Sequence, residues 1–594
     1  MAQRRTQSAP RGVSVLPSSD PRSSRTGCTR ASAAAARLLL LATFGVLAAC
    51  GGGGGDGGSS GGAPPPAPPA PPAQFSNITN STGISFVHKI VNPTNSKAEM
   101  FAGGAAAGDY DGDGDLDLYV VRGDVGPNLL YRNDGGNHFT DVAAAAGVAR
   151  AKPAGGGYLQ SGPVFADLDS DGDLDLFVGG LEGDPCVLFQ NLGNGTFRDV
   201  TAQSGLNTLG ARNTISASFG DADLDGDVDL LLAHWGTPRP PDGAGGNGNT
   251  ETLWLNDGAA GTIHFTDASV ASGVAAATIP RRGGYAPFQP TALDYDYSFV
   301  AGFARMDGDR YPELLIVSDF NNTRFLMNKG AQGPGAFRDA TDNAVIIDRN
   351  GMGSAVGDVD NDGDLDWFVT GIFGASETVG NRLYLNQGGG LLQDVSIAAG
   401  IQDGGWGWGA CLADFDLDGR LDIFHTNGWT NLNPIDDFEH DRSRLFISQP
   451  NGLRFVDAAG TRGMSDAEQG RAVICADFDR DGDVDIFMTN RGLANSGAFW
   501  LNDDKTSTNK SLTVKLVAKA PNTEAVGARI RVTIGGTTQL REIAIGGNFT
   551  SQTPTAQVFG LGSAGSADSV QIEWPDGRTD SYANVAAGKA TFVE

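Results

Sequence analysis

Six times along this chain, Asp recurs at alternate places of a nine-residue stretch, with Gly at the sixth place and an apolar run behind it. The copies are DYDGDGDLD from Asp109, DLDSDGDLD from Asp167, DADLDGDVD from Asp221, DVDNDGDLD from Asp358, DFDLDGRLD from Asp414 and DFDRDGDVD from Asp477. A seventh, degraded copy, RMDGDRYPE, begins at Arg305. First positions lie 58, 54, 84, 53, 56 and 63 residues apart. A period of this size marks an array of units that lean on their neighbours, and it predicts an all-β, seven-bladed β-propeller.

Each unit repeats one grammar. Small residues come first (GGAAAGD, TISASFGD, GMGSAVGD), then the acidic loop, then a β-branched or aromatic strand. A third strand ends in Asn (LLYRN, VLFQN, LYLN), and a fourth reads Phe-x-Asp (HFTD, TFRD, AFRD). Small residues belong where strands crowd around an axis, and Asn/Gly pairs belong in hairpin turns. The last unit stops after its third strand, at FWLND. The missing fourth strand is expected from FSNITNSTGISFVHK at Phe75–Lys89, closing the ring and removing its exposed edge.

The acidic loops read as cation sites. Alternate carboxylates on a tightly curled loop converge on one point, and Gly lets the chain turn. The opening matches D-x-[DN]-x-[DN]-G, but place 12 is Val120, Val369 or Met488 and not Glu, and strands flank the loop. Place 9 must therefore close the site, and place 7 offers its backbone carbonyl, which accommodates Arg420. The expected metal residues are Asp109, Asp111, Asp113, Asp115 and Asp117; Asp167, Asp169, Asp171, Asp173 and Asp175; Asp221, Asp223, Asp225, Asp227 and Asp229. In the second half they are Asp358, Asp360, Asp362, Asp364 and Asp366; Asp414, Asp416, Asp418, Arg420 and Asp422; and Asp477, Asp479, Asp481, Asp483 and Asp485. About six structural Ca²⁺ ions follow, since Mg²⁺ keeps its waters and tolerates flexible cages poorly. The Arg305 copy, with Arg305 and Arg310 at places 1 and 6, is expected to hold no metal. A second register for this copy takes Asp307-Gly308 as places 5 and 6.

The formal net charge of −28 argues against nucleic acid and anionic lipid as partners. Residues 1–49 carry an Arg-rich segment and an apolar run from Leu38 to Ala49, the pattern of an export signal and too short to span a bilayer. The run ends Leu47-Ala48-Ala49-Cys50, similar to a bacterial lipobox in which Cys50 is acylated. Residues 50–73 follow as a Gly/Ser- and Pro-rich tether. The expectation is a cell-envelope protein held by lipid at the outer membrane. Of Cys186, Cys411 and Cys475, an odd number, the last two sit in apolar strand-like runs and read as buried free thiols, with no disulfide framework visible.

The units at 74–505 resemble FG-GAP/VCBS repeats, the calcium-binding blades also found in integrin α-subunits. The tail at 506–594 resembles an ASPIC/UnbV domain through VGARIRV, QLREIAIGGNFTSQ, VFGLGSA and VQIEWPDGRTD, and reads as a small β-sandwich. The pair resembles bacterial relatives of cartilage acidic protein, a family that implies extracellular calcium binding and no established reaction.

That leaves the question of ligand or reaction. Trp406, Trp408 and Trp429 form a candidate ligand surface, with His425, Asp436, Asp437, Glu439 and His440 in an insertion nearby. His234-Trp235 and Arg281-Arg282 with Tyr285 border two other insertions. Loops on a rigid scaffold are where binding resides, so the expected activity is binding or adhesion to a protein or glycan. A glycan-active lyase or hydrolase on the same scaffold and an envelope spacer without a pocket are the alternatives.

Overall fold

The computed structural model describes residues 74–91, 101–236, 251–278, 297–431, 433–450, 453–492, 495–503 and 507–594. The export segment, Cys50, the tether, and Arg281, Arg282 and Tyr285 lie outside the described residues. Strands dominate, and among the described residues no helix is long and apolar enough to cross a membrane.

Seven four-stranded antiparallel sheets form between Phe75 and Asn502 among the described residues, each called a blade below. The first runs Gly104–Gly108, Asp117–Val121, Leu129–Asn133 and Phe139–Asp141. Every residue of its inner strand GAAAG is buried, which only small side chains allow so near an axis. The other inner strands are Gln160–Ala166, Thr214–Gly220, Ser298–Ala304, Ser354–Gly357, Gly407–Ala413 and Gly470–Ala476. Inner strands adjoin in turn from the first blade to the fourth and from the fifth to the seventh, and that of the seventh adjoins that of the first. The fourth and fifth blades share a buried cluster that includes Val300, Val317, Trp367 and Val369. The array is a ring.

Closure uses the N-terminal segment. Phe75–Asn77 pairs antiparallel with Gly497–Asn502 in the register Phe75↔Asn502, Ser76↔Leu501 and Asn77↔Trp500. The fourth strand of the seventh blade thus comes from the front of the chain, and no blade edge is left unpaired there.

The free-thiol reading of Cys411 and Cys475 is corrected. They form a disulfide with Cα atoms 6.5 Å apart across 64 residues of sequence. The two lie one register step apart on the inner strands of the sixth and seventh blades, which the packing of successive blades brings side by side. Cys186 remains free.

Beyond Lys510, two further sheets pack face to face. One is Gln557–Gly562, Lys510–Val517 and Gly588–Val593; the other is Thr537–Glu542, Arg529–Ile534, Ser566–Glu573 and Thr579–Ala586. Leu512, Ile530, Val570 and Trp574 fill the space between them. This sandwich is not a free appendage. Its segment IGGNFTSQ enters the ring: Ile545–Gly546 adds to Thr214–Gly220, and Ser551–Gln552 adds in parallel to Gly104–Gly108.

Candidate metal centres

Each acidic loop is the hairpin between the first and second strands of a blade. Place 9 opens the second strand opposite the last residue of the first, as in Gly108↔Asp117, Gly220↔Asp229 and Ala413↔Asp422. The turn needs left-handed backbone at two places. Gly at place 6 has φ between 91° and 107° in all six loops, and its N–H donates to the place-1 carboxylate at 2.8–3.3 Å. Place 4 is also left-handed, at Gly112, Ser170, Leu224, Asn361, Leu417 and Arg480, a demand that the varied residues there concealed.

Place 9 has a second task. One oxygen of Asp117, Asp175, Asp229, Asp366, Asp422 and Asp485 accepts the place-2 N–H at 2.8–3.2 Å. The other accepts the N–H of the residue ending the third strand, Asn133, Asn191, Asn256, Asn386, Ser448 or Asn502, at 2.7–2.9 Å. That terminal Asn also joins blades. Asn191, Asn256, Asn328, Asn386 and Asn502 each donate to the place-2 carbonyl of the preceding blade, on Tyr110, Leu168, Ala222, Met306 and Phe415. The Leu/Phe-x-x-Asn motif was visible in sequence; this role was not.

Carboxylate oxygens of Asp109, Asp111 and Asp117 converge within 4.8 Å, as do those of Asp167, Asp169 and Asp175. Asp358, Asp360 and Asp366, and Asp414, Asp416 and Asp422, do the same, while the third loop gathers Asp221, Asp223 and Asp225. In four of these loops the converging set is therefore places 1, 3 and 9. Asp113, Asp115, Asp171, Asp173, Asp227, Asp362, Asp364 and Asp418 lie in the same loops outside these triads. In the seventh-blade loop Asp477 pairs with Lys589 at 3.1 Å, and Asp479, Asp481 and Asp483 crowd one another.

The electrostatics fit a hard cation. Oδ1 of Asp109, Asp169, Asp221, Asp227, Asp416 and Asp483 is buried and accepts no hydrogen bond. Such oxygens are costly unless something positive faces them. Burial pushes the Asp117 and Asp366 carboxyls up to about 8. Burial together with its Asp neighbours pushes Asp483 up to about 9 and Asp414 up to about 7. Where no cation faces them, burial favours the protonated form of these groups.

The Arg305 copy shows what happens when place 1 changes sign. Glu313 takes place 9 and accepts the place-2 N–H of Met306 at 2.8 Å, so the chain keeps the register beginning at Arg305. The Arg305 guanidinium, 4% exposed, donates to the loop's own Asp309 carbonyl at 3.0 Å, to the Gly527 carbonyl at 3.2 Å and to Glu573 at 2.6 Å. A fixed guanidinium stands in this loop, and it ties the fourth blade to the sandwich. Arg310 adds a bond to the Pro575 carbonyl, in the Trp574–Gly577 turn.

The sandwich covers the loop face. Glu524 accepts the Asp167 N–H at 3.0 Å, and Thr523 donates to the Asp167 carboxylate. Arg541 is buried in the field of Asp358 and Asp414. At Gly560 a side chain would lie 2.0 Å from Asp414, so the approach admits only glycine. On the axis, Asn548 exchanges two hydrogen bonds with the Ala410 backbone and Gln552 two with that of Phe165. Phe549 is fully buried, 5.1 Å from the Trp408 ring and 5.7 Å from Phe299. Phe549→Ala is expected to cost about 3 kcal/mol or more, by emptying space among rigid inner strands. A urea midpoint equal to that of the parent protein would show that this plug contributes nothing.

The tryptophan surface is corrected for two of its three members. Trp408 is fully buried and Trp406 is 6% exposed; both belong to the axial core, because Phe438 and Phe549 pack against them. Trp429 is partly exposed, with Arg491 4.7 Å and Arg471 5.1 Å from its ring centre. The nearby polar residues disperse. His425 is buried between the Phe368 and Phe446 rings, and burial lowers it to about 4. Asp436 accepts the Ala375 N–H, while His440 and Asp437 pair in solvent. His234 is buried between Thr214 and Thr252.

Comparison with known proteins agrees with this architecture. Residues 109–178, 167–232, 305–369 and 372–425 match the FG-GAP-like repeat, and 518–594 match the domain called ASPIC and UnbV. The chain is an FG-GAP-repeat protein with a C-terminal ASPIC and UnbV domain. It is homologous to cartilage acidic protein 1. The mouse protein is 28% identical over 348 residues, covering 57% of this chain and 50% of the relative. The human protein is 27% identical over 367 residues, covering 57% and 48%. The chain thus spans about half the length of the curated relatives it matches. Among solved structures, a lectin from Agrocybe aegerita that recognises non-reducing terminal N-acetylglucosamine aligns with TM-score 0.35 and 16% identity, covering 60% of this chain and 79% of the lectin. Rhamnogalacturonan lyase PL11 of Bacillus licheniformis aligns with TM-score 0.34 and 13% identity, covering 73% and 76%. Both likenesses are too loose to bear on function.

Proposed function

We propose that this protein works outside the cytoplasm as a calcium-loaded propeller that binds a glycan or a protein. In this reading residues 1–49 direct export, Cys50 carries lipid at the outer membrane, 50–73 are a tether, 74–505 the propeller and 506–594 its capping domain. The observation that carries the metal reading is the set of buried carboxylate oxygens without donors in the acidic loops. All-oxygen ligation on a flexible loop suits Ca²⁺. The ion would hold each hairpin and neutralise carboxylates that otherwise repel, a structural task. Binding is favoured over catalysis because the axis, where a propeller could gather catalytic groups, is filled by Phe549 and its neighbours. Among the described residues, the histidines near the loops are buried singly or paired in solvent.

The test is direct. Metal analysis after dialysis against calcium should find about six ions per chain, and none at the Arg305 loop. Converting Arg305 to Asp should not remove any of the six. A single tight transition metal, or no calcium at all, would end this reading.

A further inference from the structure

A cleft of about 670 Å³ opens between the loops of the fifth and sixth blades and the edge of the capping domain. Its walls are Asp360, Asp362, Asp418 and Arg420 on one side, and Thr538 and Gln539 on the other. Gly419, Gly536, Gly560 and Gly562 leave the backbone bare between them. The volume lies within the range of sites for small ligands.

Two features separate this cleft from an ordinary acidic surface. Gln539 is 1% exposed; its Nε2 donates to the Gly560 carbonyl at 2.7 Å, while its Oε1 has no donor. Asn361 repeats the arrangement, with Nδ2 donating to the Gly419 carbonyl at 3.1 Å and a buried Oδ1 that lacks a donor. Buried acceptors without partners are expensive, and a ligand hydroxyl would relieve them. The second feature is Arg420. The other five loops carry Asp115, Asp173, Asp227, Asp364 or Asp483 at this place, so of the two loops that wall the cleft the sixth-blade loop presents a donor where the rest have a carboxylate.

We infer that this cleft binds a neutral, hydroxyl-rich saccharide. The inference rests on the proposed binding function and names its ligand class. Each wall excludes another chemistry. The one guanidinium of the cleft wall is already bound to Asp418, which leaves phosphate or uronate without a cation of its own there. Only Ile534 and Leu561 are apolar, so a lipid or aromatic ligand would strand polar groups. A hydroxyl group both donates and accepts. It can serve the orphaned carboxamide oxygens as donor, and Arg420 and the threonine hydroxyls as acceptor. Loops held by calcium would present these groups in fixed positions.

Saturation-transfer NMR on the exported body with calcium tests this, using galactose, mannose, N-acetylglucosamine, maltose and cellobiose as probes and galacturonate as the charged control. Transfer to at least one neutral probe is expected. Thr537→Trp, at the exposed hairpin tip beside the cleft, should abolish it. Arg420→Asp, which restores the residue of the other loops, should weaken it at least tenfold. Bound calcium is counted on the same samples and should not change in Thr537→Trp. Six ions with no transfer to any probe, undiminished transfer in Thr537→Trp, or a preference for galacturonate would overturn the saccharide site and leave the calcium reading standing. Absence of calcium would overturn the parent reading instead.

Discussion

In EDTA, the unfolding temperature of this protein is expected to fall as pH rises from about 4 to about 8, and calcium is expected to remove that slope. Most proteins lose stability towards acid through paired carboxylates with depressed values. Here burial raises the folded-state values: Asp117 and Asp366 to about 8, Asp221, Asp358 and Asp414 to about 7, and Asp483 to about 9. A carboxyl that holds its proton more tightly when folded stabilises the fold fully below its unfolded value near 4. That contribution is lost as pH rises towards the folded value, because the unfolded chain has already ionised and the folded one must follow. Bound calcium would replace the protons and satisfy the same oxygens. Six sites filled at tenfold or more above their dissociation constants would contribute on the order of 10 kcal/mol together. Calorimetry at about pH 5 and about pH 8, with EDTA or calcium, reads both effects. A metal-free protein that grows more stable with pH, or one that calcium leaves unchanged, contradicts the assignment of these loops as buried cation sites.

Reduction of the Cys411–Cys475 disulfide is expected to cost about 4 kcal/mol in the calcium-loaded protein, from the chain entropy of a 64-residue loop. The bond joins the inner strands of the sixth and seventh blades, in one buried cluster with Phe75 of the strand that closes the ring. Losing it should therefore also speed opening at the seam. The double variant Cys411→Ser with Cys475→Ser, unfolded in denaturant beside the parent protein, gives the equilibrium cost. Hydrogen exchange on Gly497–Asn502 gives the local one. Equal midpoints and equal exchange would mean that strand pairing alone holds the seam.

Much of the candidate site was legible because its determinants are local. The carboxylates and the glycine of a loop lie within nine residues, and the convergence of three of them follows from one hairpin. The requirement for left-handed backbone at place 4 was hidden, since Leu224, Leu417 and Arg480 carry no signal for it. Trp406 and Trp408 misled for the opposite reason. Aromatic residues beside an insertion look the same whether they face solvent or an axis filled by another part of the chain.

The sequence by itself determined the repeat, the strand grammar, the acidic hairpins, the divergent Arg305 copy and the closing of the last blade by the first strand. Each is set by residue spacing, and spacing is read along the chain. Only the tertiary structure decided that Cys411 meets Cys475, that Asn191 and its equivalents bind the blade before them, and that Phe549 fills the axis. It also decided that Arg305, read from sequence as a defect, holds the capping domain through Glu573. Those outcomes depend on which surfaces a closed ring brings within a few ångströms, and ring closure joins residues separated by up to several hundred positions. No local pattern encodes that distance.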